Sequence, residues 1–141
     1  MGFFTTIIDE LKKHNLLIYF IILWGGSMFL YAVANLATWG FGIEEAYDVL
    51  WIIGNLFNLG SGALLTLFGL KLINTEILKE MPIEKTFAYF LLLWAGQFIF
   101  WGLSDIIYFE ALWLLAGLVH FIAGIVIALF AWKMLNEQTN Q

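Results

Sequence analysis

Four long apolar runs dominate this chain and leave it few ways to fold. They cover residues 15–38, 49–73, 86–109 and 111–135. Each exceeds the roughly 20 residues a helix needs to cross a hydrocarbon core about 30 Å thick. Lipid offers the backbone no hydrogen-bond partner, so each crossing is expected to be helical. The expected fold is an all-α integral membrane protein with four transmembrane helices.

Composition points the same way. Of 141 residues, 62% are hydrophobic and 12% charged, and the mean hydropathy is +0.90. A soluble domain is nearer half apolar and a quarter charged. A globule of this length could not hide so much apolar surface from water, so the lipid bilayer is the expected solvent.

The same inventory excludes several functions. There is no cysteine, so disulfides, thiol chemistry and Cys-ligated metals are ruled out. Two histidines, His14 and His120, are too few for a multi-His metal site within one chain. The net charge of −5 and the lack of any arginine argue against nucleic acid, which needs clustered basic residues.

The lysines set the expected orientation. Lys12 and Lys13 precede the first run, Lys71, Lys79 and Lys85 flank the connection between the second and third, and Lys133 closes the fourth. All six fall on one side. By the positive-inside rule that side, with both termini, is cytoplasmic. The other side carries Glu44, Glu45, Asp48 and Glu110, an acidic outer mouth. Trp39, Tyr47, Trp51, Tyr108 and Trp113 sit near it as interfacial anchors.

The chain also repeats itself. "YFIILWGG" at 19–26 matches "YFLLLWAG" at 89–96, and the register continues through Ser27/Gln97, Tyr31/Trp101 and Asn35/Asp105. The stretch 51–74 falls on 113–136 without a gap, with Trp51/Trp113, Gly62/Gly124, Phe68/Phe130, Lys71/Lys133 and Asn74/Asn136 identical. Each unit is a helical hairpin entering from the same side, so the two are parallel repeats about an axis along the membrane normal. Lys12–Lys13, the apolar run and "AVA" at 32–34 loosely fit a cleaved signal peptide. A signal peptide would not mirror a later helix, so the first run is kept.

The expected organisation is an amphipathic segment over 1–14, a first hairpin over 15–73, a connection over 74–85, a second hairpin over 86–135 and a polar tail over 136–141. In the first segment Phe3, Phe4, Ile7, Ile8 and Leu11 recur at helical spacing, with Asp9, Glu10, Lys12 and Lys13 opposite. That pattern suits a helix laid on the inner leaflet. The tail "NEQTNQ" is expected to fray.

Two small-residue stripes run at four-residue spacing: Gly54, Asn58, Gly62 and Thr66, and the matching Ala116, His120, Gly124 and Ala128. Such stripes mark close helix packing in lipid. They also carry Asn58 and His120 toward protein. With Asn35, Gln97 and Asp105 these form a candidate polar layer in the outer half of the membrane.

Intramembrane ionisable groups are costly and are functional candidates by default. The plain reading of Asp105 is a carboxylate near a helix end, reaching interfacial water. The plain reading of His120 is a hydrogen-bonded packing residue. The sharper reading is a proton relay or ligand site, because histidine titrates near neutrality and a carboxylate can tune it. No spacing motif supports a metal, and no cofactor is predicted.

No nucleophile elbow, phosphate-cradling loop or HExxH motif is present, so no catalytic residue is assigned. The leading expectation is a small non-enzymatic accessory or structural subunit of a larger membrane complex, partnered by other membrane subunits or by itself. The first alternative is an oligomeric cation or proton transporter or channel. The second is a binder of a lipid-soluble ligand, suggested by seven Trp and fourteen Phe.

Overall fold

The computed structural model describes residues 2–39 and 42–139. The side chains of Phe3 and Trp39 and the last two residues of the tail lie outside that description. Five helices follow one another: α1 Gly2–Lys12, α2 Asn15–Trp39, α3 Ala46–Ile73, α4 Ile83–Tyr108 and α5 Ala111–Thr139. No strand occurs among the described residues. α2 to α5 are each long and apolar enough to cross a membrane.

The helix ends differ from the apolar runs for local reasons. α3 starts at Ala46, ahead of the run, because Asp48 Oδ2 accepts the amides of Glu44 (3.0 Å) and Glu45 (2.9 Å). A carboxylate there satisfies orphan N–H groups and favours the positive end of the helix dipole. α4 starts at Ile83, directly after Pro82, whose carbonyl accepts both the amide and the hydroxyl of Thr86. It ends at Phe109, which adopts the left-handed conformation (φ 59°) and reverses the chain within two residues. α5 does not stop at the polar tail but continues to Thr139. Met134 and Gln138, one turn apart on one face, are buried and half-buried there.

α3 packs on both α2 and α4, and α4 packs on both α3 and α5. Each packed pair is antiparallel, so α2 to α5 form a serpentine. Among the described residues α2 and α5 do not pack along each other. The row therefore has two edges, and α5 is the least buried of the four spans. Trp24 of α2 reaches across to Phe90 and Trp94 of α4, with centroids 6.4 and 5.6 Å away.

Backbones touch where side chains are small. A Cβ on Gly62 would lie 2.5 Å from Phe29 N and 2.8 Å from Gly25 O, which marks the α2–α3 crossing. A Cβ on Gly124 would lie 3.0 Å from both Ala95 O and Ile99 N, which marks the α4–α5 crossing. Between α3 and α4 the fit is side chain over glycine. The Trp101 indole covers Gly54, and the Phe57 ring covers Gly96. In lipid, where apolar surface alone gives helices no reason to associate, such close fits supply the packing energy.

The apolar core lies toward the lysine-bearing end, around Leu65, Phe68, Leu72, Phe90 and Met134. α1 packs there through Ile8, which is buried, and through Phe4, whose ring is 5.2 Å from Phe87. Part of its apolar face is thus covered by protein, while Ile7 stays exposed. Lys71 is only 2% exposed. Its Nζ donates to the carbonyls of Ile77 (2.6 Å) and Leu78 (3.0 Å), pinning the loop between α3 and α4.

Candidate functional site

The polar residues gather toward the lysine-free end but divide between two helix pairs. Between α2 and α3, Asn35 Nδ2 donates to Asn55 Oδ1 at 3.1 Å, and Asn55 Nδ2 donates to Trp51 O at 3.0 Å. Asn55 is fully buried, so both ends of its amide are matched, as burial requires. One turn deeper, the buried Asn58 donates to Met28 O at 3.4 Å, and Ser61 donates to Asn58 O at 3.1 Å. Thr66 donates to Gly62 O at 2.9 Å.

Between α4 and α5 the arrangement is less complete. A Cβ on Gly117 would lie 2.8 Å from Asp105 Cβ. The carboxylate therefore starts directly over bare α5 backbone, and among the described residues no side chain hydrogen-bonds to it. His120, one turn further along α5, stacks on Phe98 with centroids 4.1 Å apart. Its Nε2 is buried without a hydrogen-bond partner. Asp105 and His120 lie within each other's electrostatic reach, yet no ion pair or hydrogen bond joins them. Gln97 is buried on α4. The five candidate residues thus form no single network: none hydrogen-bonds another through side chains, and Asn35 is bonded instead to Asn55, which lies outside that set.

Asp105 opens onto a cleft of about 450 Å³ at the lysine-free end. Tyr47, Asp48 and Trp51 of α3, Ser104, Asp105 and Tyr108 of α4, and Trp113 of α5 line it. Ser104 donates to Tyr47 O at 3.0 Å, and Trp101 Nε1 donates to Trp51 O at 3.3 Å, which ties α4 to the start of α3. The Tyr47 and Tyr108 rings meet edge to face at 5.3 Å. Aromatic faces beside carboxylates suit a cation, which ring quadrupoles and charge both attract. Ser104 and the convergence of Tyr47, Trp51, Tyr108 and Trp113 on one cleft are not legible from spacing, because they come from three helices.

Of the acidic mouth, Asp48 lines this cleft, while Glu44, Glu45 and Glu110 are exposed around it. Of the small stripes, Gly54, Gly62, Thr66 and Gly124 sit at helix contacts, Ala128 is half-buried and Ala116 is exposed. No group of three or more His, Asp or Glu able to hold a metal occurs among the described residues. No protein-family model, curated protein or solved structure matches the chain.

Proposed function

We propose that the protein is a small, non-enzymatic structural subunit of a larger membrane assembly. The observation that carries this reading is the character of the free face of α2. Gly26, Ser27, Tyr31 and Ala34 form a patch within it, with Ser27 and Tyr31 exposed, amid the exposed Leu16, Phe20, Leu23 and Leu30. A face met only by lipid tails favours large apolar side chains. Small residues with hydroxyls suit a neighbouring helix, which can approach closely and accept hydrogen bonds.

Both termini are assigned to the cytoplasm, since Lys12, Lys13, Lys71, Lys79, Lys85 and Lys133 share one end of the helix row. The two hairpins are read as parallel repeats. The crossing of Gly62 against Gly25 and Phe29 corresponds, in the sequence register, to that of Gly124 against Ala95 and Ile99. Asn58 beside Met28 likewise corresponds to His120 beside Phe98. No cofactor enters this reading. Native gel migration after gentle solubilisation tests it: the protein should run in a larger particle, and a lone monomer overturns the proposal.

A second reading, cation handling by the oligomer, is favoured by the aromatic and acidic cleft around Asp105. The core toward the other end is filled by Leu65, Phe68 and Phe90, so any pathway would run between copies. Flux into liposomes by wild type, Asp105→Asn and His120→Ala tests it. Flux unchanged by either substitution removes these residues from the mechanism.

A further inference from the structure

The α3–α4 contact inside the chain is a template for the two faces that lack a partner. On α3 the template is Gly54, Phe57 and Gly60. On α4 it is Leu93, Gly96 and Trp101. Trp101 covers Gly54, Phe57 covers Gly96, and Leu93 meets Gly60. The sequence register carries each of these positions to the other hairpin. Gly54, Phe57 and Gly60 become Ala116, Val119 and Ile122 on α5. Leu93, Gly96 and Trp101 become Leu23, Gly26 and Tyr31 on α2.

These are the residues left open. Leu23, Tyr31, Val119 and Ile122 are 58–71% exposed. Ala116 is exposed too, and a Cβ on Gly26 would meet nothing within 4 Å. The fit of large over small survives the transfer at two of the three contacts, while Leu93 over Gly60 becomes Leu23 beside Ile122, two branched side chains. Trp101 over Gly54 becomes Tyr31 over Ala116, and Phe57 over Gly96 becomes Val119 over Gly26. Direction survives as well, since α5 runs as α3 does and α2 as α4 does.

We propose that a second copy of this chain covers these faces, the α5 face of one copy packing on the α2 face of the next as α3 packs on α4 within the chain. This rests on the subunit reading above and names the partner. The contact is head-to-tail, because each copy offers two different faces. Repeated around an axis along the membrane normal, such a contact builds a ring where the rotation closes, and a closed ring leaves neither face to lipid.

The chain has no cysteine, which makes cross-linking clean. One chain carrying Val119→Cys and another carrying Gly26→Cys are co-expressed, oxidised in the membrane and separated by size. The expected result is a covalent dimer. The control pairs Leu118→Cys with Gly26→Cys. Leu118 corresponds to the exposed Leu56, outside the template, and should cross-link far less. In parallel, native mass spectrometry compares wild type with Gly26→Trp, a position where an added Cβ meets nothing within 4 Å, and far-UV circular dichroism checks that the variant keeps its helices. Wild type should appear at a multiple of 16.1 kDa and Gly26→Trp at 16.1 kDa. Equal cross-linking of both pairs, or homo-oligomers that Gly26→Trp leaves unchanged, overturns the proposal. Wild type found only with foreign polypeptides overturns it while sparing the subunit reading. A wild-type monomer in its own membrane overturns both.

Discussion

Asn35 and Asn55 join α2 to α3 through a 3.1 Å amide hydrogen bond, and in the sequence register their counterparts are Asp105 and Gly117. The second pair cannot make that bond, because glycine has no side chain to offer. Gly117 lets α5 come close to α4, and the carboxylate of Asp105 is left to face the cleft. Positions matched in the sequence register thus carry different chemistry in the two hairpins. In the first an amide pair bridges the two helices, and in the second a carboxylate faces a cleft.

Asn55→Ala should therefore destabilise more than an average substitution. It leaves the half-buried Asn35 Nδ2 without that acceptor and removes a buried amide, at a cost of about 1–3 kcal/mol. Thermal unfolding in mild detergent reads this directly. A midpoint equal to wild type would show that the pair contributes nothing.

The helix crossings predict an ordering among glycines. Gly62→Ala and Gly124→Ala push a methyl group against backbone atoms that cannot rotate away, so each should cost about 1–3 kcal/mol or more. Gly26→Ala meets open space and should stay within about 0.5 kcal/mol of wild type in a monomeric preparation. Unfolding midpoints of the three variants should fall in that order.

Lys71 and Lys133 are equivalent in sequence but not in environment. Lys71 is buried with two carbonyl acceptors, whereas Lys133 is exposed. Lys71→Ala should loosen the loop between α3 and α4 and cost roughly 1–3 kcal/mol. Lys133→Ala should cost little. Limited proteolysis within 74–82 separates them: faster cleavage is expected for the first variant only.

Asp105→Asn gives the second hairpin the same side chain that Asn35 gives the first. Stability should hold within about 0.5 kcal/mol, since no hydrogen bond to the carboxylate occurs among the described residues. Cation response should fall. Tetramethylammonium added to the purified protein should alter tryptophan fluorescence through Trp51 and Trp113, and Asp105→Asn should blunt the change. An equal response from both proteins would detach Asp105 from the cleft's affinity.

The helical spans are legible in the sequence because length and apolarity alone define them in lipid. The helix ends are less so. Asp48 extends α3 and Pro82 starts α4, through local bonds that hydropathy does not register. Which face meets which helix is not legible from periodicity, because a lipid-facing side is as apolar as a buried one. Lys71 reads as a topological marker and turns out to be a loop staple. Asp105 and His120 are visible as rare ionisable groups. The cleft around Asp105 is not, since Ser104 and four aromatic side chains converge on it from three helices. The small stripes suggest contacts at Gly62 and Gly124, yet Ala116 in the same stripe lies exposed.

If the protein is a subunit of a membrane assembly, the free faces of α2 and α5 are covered by protein in the native membrane. Native mass spectrometry of particles cut from that membrane with surrounding lipid measures this most directly. The account predicts particles holding more than one polypeptide, with no appreciable lone chain at 16.1 kDa. A population dominated by the single 16.1 kDa chain would contradict it.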